Sequence, residues 1–237
     1  IIKILATTLG ETGGDSVSMT LNLGYLVGTA IFLAALVTLV ALQIRAPRFQ
    51  PWLYWATIIA STTAGTTMAD FATRSLGIGY PGGSLLLFAL VMASLAVWKA
   101  NLGSVSVDSV ATTKAEIFYW ITITLSQTLG TALGDWLAGL PGMGYLAAAG
   151  VFAAGLVVTW ALYRWSSVSH VLLFWAAFIL TRPLGATVGD FLDKPLDKGG
   201  LDLSRPIATL VLGVAIAALI LLLPQRAGGH PSSSTSQ

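Results

Sequence analysis

Residues 130–135 read Gly130-Thr131-Ala132-Leu133-Gly134-Asp135: a glycine, three residues, a small residue and an aspartate. The pattern recurs at Gly10-Glu11-Thr12-Gly13-Gly14-Asp15, Gly65-Thr66-Thr67-Met68-Ala69-Asp70 and Gly185-Ala186-Thr187-Val188-Gly189-Asp190. The flanks keep register too. Nine residues after each aspartate stands a glycine (Gly24, Gly79, Gly144, Gly199), followed in the first three copies by Tyr25, Tyr80 and Tyr145. Ten residues before the motif glycine stand Trp55, Trp120 and Trp175, each after an aromatic residue (Tyr54, Tyr119, Phe174). In the first copy that Trp would precede Ile1, so the spacing predicts a first helix that begins upstream of Ile1. The aspartates step by 55, 65 and 55 positions, so the copies read as two duplicated halves joined by the polar stretch 101–114. Self-similarity at such a period marks a chain assembled from one small structural unit.

Composition sets the solvent. Of 237 residues, 55% are hydrophobic and 9% are charged, where a soluble domain carries about 25% charged residues. A surface this apolar suits lipid. A span takes about 20 mostly apolar residues, so the chain holds about eight spans with short loops and no soluble domain. The expected fold is an all-α membrane protein of about eight transmembrane helices, arranged as four parallel two-helix repeats in two duplicated halves. Spans are expected near 1–20, 24–44, 51–74, 82–100, 114–138, 143–165, 167–192 and 204–223, within a single domain 1–226 whose repeats run about 1–48, 49–108, 109–166 and 167–226. The tail 227–237 is rich in Gly, Ser and Thr and reads as disordered.

Several chemistries are excluded or disfavoured. A net charge of +2 without a Lys/Arg run argues against a nucleic-acid partner. The absence of cysteine removes disulfides, thiolate metal sites and Cys nucleophiles. His170 and His230 form no ligand-spaced pair, and no nucleophile–base set stands out, so neither an enzyme nor a resident cofactor is expected. One face of the membrane collects Lys3, Arg45, Arg48, Lys99, Lys114, Arg164 and Arg226, the other Arg74, Lys194, Lys198 and Arg205. The excess of positive charge on the first face predicts cytoplasmic termini in a multi-pass protein of the inner (plasma) membrane. Trp52, Trp55, Trp120 and Trp175 are then expected to form an aromatic belt at the cytoplasmic interface.

The motif has a physical reading. Gly10, Gly65, Gly130 and Gly185 each stand four residues before a second small residue, a pattern that lets helix backbones touch in lipid. The motif helices are therefore expected to pack as a central bundle. Spacing of four aligns Thr7, Glu11 and Asp15; Thr62, Thr66 and Asp70; Gln127, Thr131 and Asp135; and Arg182, Ala186 and Asp190. Each motif helix thus presents a polar stripe ending in a carboxylate. At about 1.5 Å per residue, the aspartates lie near the far interface of a core about 30 Å thick, where they either end helices or line the mouth of a path. Glu11 and Arg182 lie deeper and are expected to pair if the first and fourth copies adjoin. Pro183 removes a backbone donor and should bend its helix.

The chain resembles a bacterial family of integral membrane proteins made of four tandem repeats, each with two transmembrane regions and a characteristic tryptophan. The resemblance rests on Trp55, Trp120 and Trp175 with the four Gly…Asp motifs and runs from Ile1 to about Gln225, departing only at the missing first Trp. It implies architecture and no activity. The stretch from Glu11 to Asp15 is also similar to the Glu-x-Gly-Asp signature of a family of manganese and calcium exporters, with wider spacing. From the residues we expect a transporter or channel for a small cation, divalent before others, with Mn²⁺, Mg²⁺ or Ca²⁺ as substrate. Asp15, Asp70, Asp135, Asp190 and Glu11 would hold the metal; Thr7, Thr62, Thr66, Gln127, Thr131 and Arg182 would line or gate the path. The competing expectations are a non-transporting scaffold or sensor, and a carrier of a polar organic solute or anion. The lipid bilayer is the expected partner, and the spans either complete one bundle or pack as a homo-oligomer.

Overall fold

The structure, a computed structural model, describes residues 1–46, 48–75, 77, 79–106 and 112–224. The expected tail 227–237 and Arg226 lie outside the described residues. Eight α-helices and no strand occur among the described residues: α1 (Ile2–Asp15), α2 (Gly24–Arg45), α3 (Pro51–Asp70), α4 (Tyr80–Leu102), α5 (Thr113–Ala138), α6 (Gly144–Trp165), α7 (His170–Asp193) and α8 (Arg205–Leu222). α1 and α3 continue into π-helical turns, Ser16–Thr20 and Phe71–Ser75. The glycine nine residues after each aspartate has positive φ in all four copies, between 67° and 80°. That left-handed conformation turns the chain out of the motif helix, and it strains any residue with a Cβ.

Five helices, α2, α4, α6, α7 and α8, are long and apolar enough to cross a membrane. α1, with 14 residues, is short within the described chain, and α3 and α5 carry the threonine stripes that dilute their apolarity. Burial follows the same division. α2, α4, α6 and α8 expose Leu26, Leu85, Val157 and Leu210 among many large apolar side chains. The motif helices α1, α3, α5 and α7 bury their stripes.

Packing is cyclic. α1 packs on α3, α3 on α5, α5 on α7 and α7 on α1. The plain helices do not pack mainly within their own repeats. α2 packs on α3, α4 on α5 and α6 on α7, so each lies against the motif helix of the next repeat, and α8 returns to α1. The motif glycines set the close approach. A Cβ on Gly65 would lie 2.9 Å from Gln127 Cβ, and one on Gly10 2.9 Å from Thr62 Cβ. A Cβ on Gly130 would overlap the Arg182 side chain, and one on Gly185 would lie 2.6 Å from Thr7 Cβ. Each first glycine therefore receives the residue eight before the aspartate of the next copy.

One expectation changes in detail. Trp120 and Trp175 are buried in a cluster with Ile58, Trp98 and Tyr119 and do not line an exposed interface, because the neighbouring helices cover them. Trp52 alone of the expected belt is exposed. α7 runs as one helix through Pro183.

Candidate carboxylate centre

The four stripes meet in three layers of one residue per motif helix. Thr7, Thr62, Gln127 and Arg182 form the first, Glu11, Thr66, Thr131 and Ala186 the second, and Asp15, Asp70, Asp135 and Asp190 the third; all twelve are buried. They follow one another at helical spacing of four, so each helix contributes one side chain per turn.

Arg182, on α7, reaches the other three motif helices. Its Nη1 donates to the Thr7 carbonyl at 3.1 Å, and its Nη2 lies 3.0 Å from Glu11 Oε2 and 2.6 Å from Thr131 Oγ1. The same nitrogen also meets Thr66 Oγ1 and the Thr62 carbonyl, the latter at 3.4 Å. One terminal guanidinium nitrogen carries two protons, so these four acceptors share them. The pairing expected for Glu11 and Arg182 is present, fully buried. Beside it, both amide atoms of Gln127, Thr62 Oγ1 and Arg182 Nε find no hydrogen-bond partner.

The aspartate layer is cross-linked by two cations placed four residues after an aspartate. Arg74 Nε lies 3.0 Å from Asp70, and Arg74 Nη2 lies 3.1 Å from Asp135. Lys194 Nζ lies 2.9 Å from Asp190 and 2.5 Å from Asp15. Arg74 thus ties the second copy to the third, and Lys194 ties the fourth to the first, as a duplicated half would repeat. Tyr25 and Tyr80, the register tyrosines, both accept hydrogen bonds from Arg74. Asp193 joins through Arg205 at 2.9 Å. Burial works against the charge on Lys194, but Asp190, Asp15 and Asp193 outweigh it and hold its pKa above the ordinary lysine value.

Two groups of carboxylates bring oxygens within 4.8 Å of one another: Glu11, Asp135 and Asp190, and Asp15, Asp190 and Asp193. Asp190, 1% exposed, belongs to both, and its Oδ2 has no hydrogen-bond partner. Of the residues expected at a metal site, Glu11, Asp15, Asp135 and Asp190 enter these groups, and Asp70 stays with Arg74. Sequence reasoning used Arg74, Lys194 and Arg205 only as markers of orientation. The structure pairs them with the aspartates. The signal was the spacing of four that joins Asp70 to Arg74 and Asp190 to Lys194. Tyr25 and Tyr80 were noted only as register marks.

No curated protein and no solved structure matches the chain. Residues 1–49, 53–101, 118–169 and 173–225 each match the family described as Repeat of Unknown Function (DUF347). Carrying four tandem copies over most of its length, the chain belongs to that repeat family.

Proposed function

We propose that the chain crosses the inner (plasma) membrane eight times with cytoplasmic termini. In this reading α1, α3, α5 and α7 form its central bundle, and the bundle carries a small cation, divalent before others, across the bilayer. The observation that supports this most is the convergence of Glu11, Asp135 and Asp190, three buried carboxylates from three repeats, with one Asp190 oxygen unpartnered. Ionisable groups buried in spans are costly and tend to mark a functional path. Oxygens within 4.8 Å of one another suit a hard cation with ligands at about 2.3–2.6 Å on opposite sides, as for Ca²⁺. Carboxylate and hydroxyl donors suit Mg²⁺ and Mn²⁺ as well. The metal is substrate in this reading, and no resident cofactor or covalent chemistry is part of it.

Charge balance shapes the mechanism. Glu11 holds Arg182, Asp135 holds Arg74 and Asp190 holds Lys194. An entering cation therefore exchanges with tethered side-chain cations. Arg182 sits below the carboxylates, among Thr7, Thr62 and Thr131, where it blocks the bundle axis to a cation until Glu11 releases it. The same pairing favours a second reading: a scaffold in which every buried charge is matched and the bundle only packs.

Equilibrium binding separates the two. Purified protein is titrated calorimetrically with Mn²⁺, Mg²⁺, Ca²⁺, Zn²⁺ and Co²⁺, beside Asp135→Asn. We expect saturable binding of one metal, weakened in Asp135→Asn while helical content is unchanged. No binding of any of the five would sink the cation site and leave the scaffold.

A further inference from the structure

We propose that a groove between α2 and α5 seats one acyl chain of an anionic phospholipid, whose phosphate meets Arg45 and Lys114. The groove has a volume of about 420 Å³ and is lined by Leu36, Val40 and Ile44 of α2 and by Ile117, Trp120 and Ile121 of α5. Apart from Thr124 its lining is apolar, so an apolar chain fits it without stranding a polar group.

The repeat explains why the groove is there. A step of 55 carries Gln43 to Trp98 and Trp120 to Trp175. In that second copy Trp98 is 1% exposed, stacks on Phe118 with centroids 6.4 Å apart, and meets Trp175 edge-on at 5.8 Å. The indole closes the gap over Trp175. Position 43 carries the smaller Gln43, and the groove runs beside Trp120, which is itself 4% exposed. Gln43 Oε1 is itself buried without a hydrogen-bond partner.

Charge names the occupant. Ala41 lines the groove, and Arg45 follows it by four residues. Ile117 lines the opposite wall, and Lys114 precedes it by three. Each basic residue thus shares a helix face with the groove, one turn beyond its end. Both are exposed. Lys114 Nζ has the neutral partner Asn101 Oδ1 at 3.4 Å, so its charge is uncancelled by that contact. Glu116, four residues before the groove-lining Trp120, brings one carboxylate to the same end, so the basic excess there is a single charge. Two cations above an apolar slot in a membrane helix pair match a lipid phosphate above its chain, since basic pockets between spans bind anionic headgroups.

The test is native mass spectrometry of the full chain released from detergent, after incubation with phosphatidylglycerol or phosphatidylcholine of equal chain length. We expect one tightly retained lipid, with phosphatidylglycerol favoured roughly tenfold or more over phosphatidylcholine. Ile121→Trp, at a residue that lines the groove, should abolish retention and leave thermal stability in lipid-free detergent equal or higher. Should that variant fail to fold, Val40→Trp fills the groove from α2. The double change Arg45→Gln with Lys114→Gln should reduce phosphatidylglycerol to the phosphatidylcholine level. Undiminished retention in the filled variant, or equal retention of the two lipids by the unaltered chain, would overturn the proposal.

Discussion

Arg182 and Glu11 form the most buried ion pair among the described residues, and their energetics are those of charges held out of water. Removing one partner of a buried pair strands the other and costs about 3–5 kcal/mol. We expect Arg182→Met to lower the thermal midpoint in detergent sharply, because Glu11 then keeps the Thr66 hydroxyl, 3.2 Å away, but loses its buried counter-charge. The double variant Arg182→Met with Glu11→Gln should recover much of that loss. Equal destabilisation of the single and double variants would mean that the pair is not coupled. Lys194 offers a second test. Its ammonium is shared by Asp15, Asp190 and Asp193. Lys194→Met should destabilise the metal-free protein, and added divalent metal should raise its thermal midpoint more than it raises that of the unaltered chain. Both pairs were partly legible in the sequence. The stripe placed Glu11 and Arg182 at neighbouring depths, but nothing in the chain order says that the first and fourth copies touch. The bridging by Arg74 and Lys194 was hidden because a basic residue just past a span also reads as a topology signal.

Among the helices, the glycines decide the spacing. A Cβ on Gly130 would overlap Arg182 and lie 3.0 Å from Pro183 Cδ, whereas a Cβ on Gly150 meets nothing within 4 Å. Overpacking a close contact costs about 1–3 kcal/mol. We expect Gly130→Val to lower the thermal midpoint clearly and Gly150→Val to leave it nearly unchanged, although both glycines lie within helices. Equal effects would show helix propensity, not close approach, to be the cause. The small-xxx-small pattern revealed which glycines mattered. Their partners were not legible, since the residue that fills each gap belongs to the following copy, 52 to 62 positions away in the first three cases. The glycines nine residues after each aspartate were equally visible as a register mark. Their positive φ explains them only after the turn is seen.

For the whole molecule, the repeat in sequence and the packed pair in space are offset by one helix. The sequence unit is a motif helix and the plain helix after it. The packed unit is a plain helix and the motif helix after it, closed by α8 against α1, where Thr209 Oγ1 lies 2.9 Å from Thr12 Oγ1. α8 therefore stands to α1 as α2 stands to α3. A circular permutant that links residue 224 to residue 1 and opens between 106 and 112 should fold with helical content and thermal stability close to those of the parent. Failure to insert or fold would show that the first and last helices are not equivalent to an internal pair. The count of repeats and the division into polar and apolar helices were readable because hydropathy and motif spacing are local. The cyclic offset was not, because it depends on which neighbour a helix meets after closure. The same closure gathers Glu11, Asp135 and Asp190 from three repeats into one centre.

That centre is tested most directly by transport. Proteoliposomes carrying the unaltered chain, Asp135→Asn or Glu11→Gln are assayed for uptake of Mn²⁺, Mg²⁺, Ca²⁺, Zn²⁺ and Co²⁺, with insertion checked in each. Asp135→Asn leaves Arg74 its contact with Asp70 and is the variant expected to keep its fold. We predict flux of a divalent metal through the unaltered chain and its loss in Asp135→Asn. No flux of any metal through correctly inserted protein, or full flux through folded Asp135→Asn, would contradict a cation path at the carboxylate centre.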